Sequence, residues 1–263
     1  MFEGDLFVQS FIPIIRGLPN TLLLTVYSIL LALVGGIVLA LLLRCPVKIV
    51  RIIFTVVSSF LKGIPVLVFL YVFDTSIDTV MTNLASVFGF TYSIRNTPTF
   101  QFAVMALALS YTPYLADMIL SAYDAVPKGQ FEAAEAFGFT RGQAMREFII
   151  PQMAVIAIPN FGNHFVNLLK ATSLTCMVTI MEMMGSARNF ATMYQQFLEA
   201  YVMCALIYWA VFEAFQQMFG VIERRASRYL QPGAIRHHKV YVRMRITEEE
   251  KEMIMKLRKE GSL

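Results

Sequence analysis

Asn160, Asn163, His164 and Asn167 recur at helical spacing within one apolar run, and Lys170 extends the same stripe. Residues three and four apart share a helix face. That face would present three amides, an imidazole and an amine, groups that can hydrogen-bond a zwitterion but form no nucleophile–base pair. Such groups are costly against lipid and should face a subunit interface or a watery path. Two readings stay open: a passage for a small polar solute, or hydrogen bonding between helices. Pro159 at the start of the stripe could loosen the helix and free carbonyls. Asp117, in an earlier apolar run, could meet an ammonium group or pair with Lys170 or Lys62.

These residues need apolar elements to hold them. The chain has 263 residues, 57% of them apolar and 15% charged. A soluble domain would carry roughly a quarter charged residues. The apolar residues also fall in blocks close to the roughly 20 residues that cross a bilayer. Five spans are predicted: Asn20–Leu43, Ile52–Phe73, Thr99–Tyr123, Phe148–Leu169 and Ala200–Ile222. The expected class is therefore an all-α integral membrane protein. The second span is interrupted by Lys62-Gly63-Ile64-Pro65, and the stretch from Asp74 to Pro98 reads as external. Ala171–Glu199 reads as a short broken helix, tolerable at membrane depth only where protein or water covers it.

Basic residues set the expected orientation. Arg44, Lys48 and Arg51 follow the first span; Lys128, Arg141 and Arg146 lie between the third and fourth; Arg224, Arg225 and Arg228 follow the fifth. The positive-inside rule then puts the N-terminus outside and the C-terminus in the cytoplasm. Half of the 22 Lys and Arg residues fall from Arg224 onward. A basic tail can suit nucleic acid, but beside a membrane span it marks the cytoplasmic face, so no nucleic-acid partner is expected. Residues 1–230 are read as the membrane domain, and 231–263 as a cytoplasmic tail whose terminal helix starts at Thr247, with Glu250 as capping partner. Glu3 and Asp5 precede the first apolar run, the wrong sign for a cleaved leader. Cys45, Cys176 and Cys204 have neither disulfide nor metal spacing.

The polar segment 124–147 carries the most specific pattern. Glu132-Ala133-Ala134 is followed after three residues by Gly138, and after nine more by Phe148-Ile149-Ile150-Pro151. This predicts a short helix, a left-handed turn at the glycine, a second short helix, and Pro151 at the opening of the next span. Small alanines would let another protein's backbone approach closely, and Glu132 could pair with a basic group there.

That pattern resembles the EAA loop of permease subunits of binding-protein-dependent ABC importers. Around it, Gly17-Leu18-Pro19-Asn20-Thr21 is similar to the opening of the polar amino-acid branch, and Lys62-Gly63-Ile64-Pro65 to its Arg-Gly-Thr-Pro stretch. Ala116-Asp117 sits where that branch has Ala-Glu, Val126-Pro127-Lys128-Gly129-Gln130 matches its lead-in to the loop, and Gly162-Asn163, Leu168-Leu169-Lys170 and Thr172-Ser173-Leu174 match its fourth-span pattern. The resemblance implies a type I importer fold in a prokaryotic cell membrane, with a second permease subunit, identical or not, completing the pathway. It implies ATPase subunits docked through Glu132, Ala133, Ala134, Gly138 and Pro151, an extracytoplasmic solute-binding protein, and a polar amino acid or close derivative as solute. ATP and Mg would be bound by the ATPase partner, since the chain has no GxxxxGK[ST] loop of its own. Glu182 matches a family Glu after the fourth span and is expected to hold the broken segment or to line the path.

Three departures touch the expected path. His164 replaces a Glu, Ala171 an Asp or Asn, and Leu120 an Arg. They leave the charge class of the solute open, basic or cystine-like amino acids included. The competing readings are a secondary transporter, the membrane subunit of another energy-coupled importer class, and a membrane enzyme. The chain has no HExxH zinc motif to favour the last.

Overall fold

The structure is a computed structural model; it describes residues 3–89, 91 and 98–227, and every regular element among them is a helix. The elements are α1 (Gly4–Ile15), α2 (Leu18–Leu43), α3 (Lys48–Gly63), α4 (Val66–Phe88), α5 (Thr99–Asp124), α6 (Gly129–Ala136), α7 (Arg141–Ala144), α8 (Ile150–Ala171), α9 (Met183–Tyr194) and α10 (Phe197–Ser227). A π-helical turn, Met145–Ile149, leads into α8, and a 3-10 segment, Thr172–Val178, leaves it. The tail helix expected from Thr247 lies outside the described residues.

Four helices, α2, α4, α5 and α10, are long and apolar enough to cross a membrane; the stretch Arg141–Val178 with α9, bent by 44°, makes a fifth when counted as one span. The outside of these helices is more apolar than much of what they bury. Along α2, Leu23, Val26, Leu30, Val34, Val38 and Leu41 are exposed, while Thr21, Thr25, Ser28, Ala32 and Gly36 are buried. Water offers no driving force inside a bilayer, so helices associate through close packing of small residues. That packing is clearest where α2 crosses α5. A Cβ added at Gly36 would lie 3.0 Å from Leu115 Cβ and 3.1 Å from the Ala116 amide nitrogen. At the α8–α10 crossing, a Cβ at Gly162 would lie 2.9 Å from the Phe219 ring.

The second span differs from its expected bounds. The helix ends at Gly63, Ile64 is extended (φ −89°, ψ 125°), and α4 runs on from Val66 to Phe88. A residue before proline is pushed out of the helical region, and Pro65 itself lacks an N–H. The break therefore falls where the sequence placed an interruption, but the apolar span is the segment after it. Asp74 and Asp78 lie within α4 instead of in an external stretch, and the helix stops at Gly89, whose φ of 72° suits glycine. The broken segment expected over Ala171–Glu199 is present as the 3-10 turn, the break at 179–182 and α9.

Gly36→Val should force α2 from α5 and cost about 1–3 kcal/mol, the usual range for overpacking. In detergent its thermal midpoint should fall below that of the wild type, whereas Gly63→Ala, with nothing within 4 Å of the added carbon, should fall far less.

Candidate functional site

Candidate groups occupy three levels of the bundle. The first is the turn between α5 and α8. Lys128 precedes α6, whose C-terminus closes with two bonds: Phe139 N–H donates to the Ala134 carbonyl (3.0 Å) and Gly138 N–H to that of Glu135 (2.9 Å). That pairing is the Schellman closure, which needs a left-handed residue after the helix. Gly138 supplies it with φ 81°. Thr140 then caps α7 in a reciprocal box with Gln143, and Arg141 meets Glu135 at 3.2 Å. Pro151 stands in the first turn of α8. It has no N–H to give the Glu147 carbonyl, and the turn before it is widened to a π-helical one. Ala134 faces inward and is buried; Glu132 and Ala133 are exposed, and Phe137 is 79% exposed.

The knob is strapped on both sides. The Phe131 ring lies 6.3 Å from that of Tyr123 at the end of α5, and Gln152 of α8 donates to Gln130 at 3.4 Å. Arg44, just past α2, sits over the Tyr123 ring at 4.2 Å and pairs with Asp124. The sequence reading missed Arg44 as a strut, because its partners lie some 80 residues away.

The second level is the polar stripe. Asn160, Asn163, Asn167 and Lys170 are all exposed on this chain, and His164 is half-buried. Lys170 Nζ lies over the Phe212 ring at 4.1 Å, a cation–π contact. The His164 ring lies 6.3 Å from that of Tyr114. Asp117 pairs with Lys62, 2.5 Å away, and Tyr114 hydroxyl reaches the Lys62 carbonyl at 3.5 Å. Of the partners open to Asp117, the structure thus selects Lys62 at the α3–α4 break and not Lys170. The pair keeps an open side: the two side chains are 31% and 51% exposed.

The third level is the break after α8. A helix of 22 residues rises ~33 Å, so the break and the knob lie at opposite ends of α8. Glu182 is fully buried here. Its carboxylate accepts from the Gly185 and Met184 amides at 2.7 and 2.9 Å and from Tyr208 hydroxyl at 2.6 Å, and Thr21 hydroxyl lies 3.4 Å away. It thus caps α9 while tying α2 and α10 to it. Met183 N–H donates to Thr21 Oγ1 at 3.2 Å and Asn20 Nδ2 to the Met181 carbonyl at 2.8 Å. A Cβ at Gly17 would meet the Glu182 carbonyl carbon at 2.6 Å. The Gly17–Thr21 run is therefore a clamp on the break. Sequence reading used it only as a fingerprint, since its partners stand 161 residues away. Among the described residues no His, Cys, Asp or Glu group could hold a metal ion.

Glu182→Ala would leave the Met184 and Gly185 amides without their acceptor and remove a Tyr208 partner, on the order of 3 kcal/mol for hydrogen bonds to a charged group. Its thermal midpoint in detergent should fall well below that of the wild type, with Glu182→Gln, which keeps one acceptor, in between.

The profile of the family described as "Binding-protein-dependent transport system inner membrane component" matches residues 32–228. The "Probable amino-acid permease protein YxeN" of Bacillus subtilis is 29% identical over 226 residues, covering 86% of this chain and 96% of that one. The "L-cystine transport system permease protein TcyL" of the same organism is 33% identical over 222 residues, 84% of this chain and 90% of its own. A solved "amino acid ABC transporter with histidines" superposes with a TM-score of 0.71 at 28% identity, over 86% of this chain and 99% of that one. With the family profile covering most of its length and the helical layout shared, this chain belongs to the binding-protein-dependent transport system inner membrane components, the permease subunits of ABC importers.

Proposed function

We propose that this chain forms the transmembrane pathway of an ATP-driven importer for a polar amino acid or close derivative, and that the α6 knob couples it to a separate ATPase. The names of its relatives support the solute class. The observation that carries the coupling is the knob itself: a helix closed at Gly138, strapped to α5 and α8, with Glu132, Ala133 and Phe137 bare to solvent. A short helix held this firmly moves with α5 and α8 as one body, which suits transmission of a rigid-body switch.

In this reading the knob and the C-terminus lie in the cytoplasm of a prokaryotic cell, and the N-terminus and the α9 break outside. The stripe Asn160, Asn163, Asn167 and Lys170 faces a second permease subunit, where the two line a wet path. His164, the Lys62–Asp117 pair and Glu182 belong to the same path or support its walls. ATP and Mg act on the ATPase partner; an external binding protein delivers solute; lipid covers the apolar outer faces.

The test is purification in mild detergent from cells that express the whole system, with wild type, Glu132→Lys and Gly138→Val compared. Valine at φ 81° costs roughly 1–3 kcal/mol of backbone strain. The wild type should carry an ATPase subunit with it. Both variants should remain in the membrane, lose most of that partner and lose uptake. Normal uptake with normal co-purification in either variant would contradict coupling through the knob.

A further inference from the structure

The 44° bend between the α8 stretch and α9 leaves a concavity that none of the proposed roles uses. It is an open hollow of about 380 Å³, lined by Cys176, Met177 and Met181 from the turn and by Arg188, Asn189 and Thr192 from one face of α9. Volumes of this order hold small ligands. The lining is divided. Met177 and Met181 are exposed over nearly half of their surface and give a soft, polarisable wall. Arg188 and Asn189, both exposed, give the polar one.

Arg188 is the cation among the described residues that line this hollow. Its Nη1 lies 3.8 Å from Met177 Sδ, and Cys176 lines the same hollow. Among the described residues it takes part in no ion pair. The one buried carboxylate nearby, Glu182, is already occupied by Tyr208, Thr21 and two amides. A guanidinium is a planar donor fork that matches a carboxylate in two parallel bonds. Here it meets the Met177 sulfur, a poor acceptor.

We infer that this hollow binds a free α-amino acid, its carboxylate on Arg188 and an apolar or sulfur-containing side chain against Met177 and Met181. A small molecule fits better than a docking protein because the surface is concave and offers one cation beside an apolar wall. The inference rests on the importer reading for its place in the cycle. The α9 break is at the end of α8 away from the knob, so the hollow is a first stop for solute ahead of the stripe on α8. Held there, the α-carboxylate leaves the rest of the solute facing Asn189 and the soft wall, which makes the site a filter on side-chain chemistry as well as on the carboxylate.

The test uses the complete transporter in lipid nanodiscs, with radiolabelled S-methyl-L-cysteine as probe. The wild type should bind it. Arg188→Gln should weaken binding at least tenfold, with Arg188→Lys between the two. S-methyl-L-cysteine amide, which lacks the carboxylate, should fail to compete. Arg188 is exposed, so both variants should melt with the wild type, and that is checked first. Wild-type affinity in Arg188→Gln, full competition by the amide, or no binding by the wild type would overturn the inference. The importer reading fails separately, if the wild-type transporter shows no ATP-dependent uptake of any amino acid. ATP-dependent uptake at unchanged affinity in Arg188→Gln would sink the Arg188 site and leave that reading standing.

Discussion

The buried carboxylate of Glu182 is the constraint from which the rest of the structure can be read. A break in a helix that is buried in the protein frees amide groups that the surrounding side chains must satisfy. Here the break at 179–182 is closed from within: one side chain accepts two α9 amides and a tyrosine hydroxyl. Because those donors come from α9 and α10, and Thr21 adds α2, the acceptor also fixes where three elements meet. Gly17 is bare because the backbone of Glu182 occupies the space a side chain would need. The hollow beneath Arg188 exists because the chain bends at this point and does not run on as one helix.

The opposite end is built on a different principle. Arg44, Tyr123, Asp124 and Phe131 join the ends of α2 and α5 to the knob through a charge pair, a cation–π contact and an aromatic contact. These groups are partly solvated, and surface ion pairs contribute little by themselves. Their role is geometric: they hold the knob against the ends of α2 and α5. α2 runs from the Gly17–Thr21 clamp to Arg44 and α8 from the knob to the turn before the break, so in the proposed coupling continuous helices link the two ends.

Much of this was legible in the sequence, for definite reasons. The apolar blocks and their basic flanks locate the first, third and fifth spans, because bilayer thickness sets a length that composition alone reveals. Gly138 fixes the turn of the knob because it takes a left-handed conformation that other residues resist, and Pro151 marks the opening of α8 because it has no N–H to give the turn before it. The second span differs from its expected bounds because hydropathy weighs the residues on both sides of Pro65 alike, whereas the helix ends at Gly63 and restarts at Val66. Of the clamp on the break, Glu182 is legible in the sequence but its partners are not. Thr21, Asn20 and Tyr208 are ordinary residues in apolar runs, and only folding brings them to Glu182. The stripe on α8 was readable as a pattern, yet its exposure on the single chain was not, because periodicity groups residues by face without saying what covers the face.

The most direct test of the account is uptake by proteoliposomes containing this chain with its ATPase and binding protein, loaded with ATP on the side that carries the knob. The account predicts that a labelled amino acid accumulates against its gradient, stops when ATP is replaced by a non-hydrolysable analogue, and ignores an imposed proton or sodium gradient. Accumulation by the chain alone, driven by an ion gradient and indifferent to ATP, would contradict it.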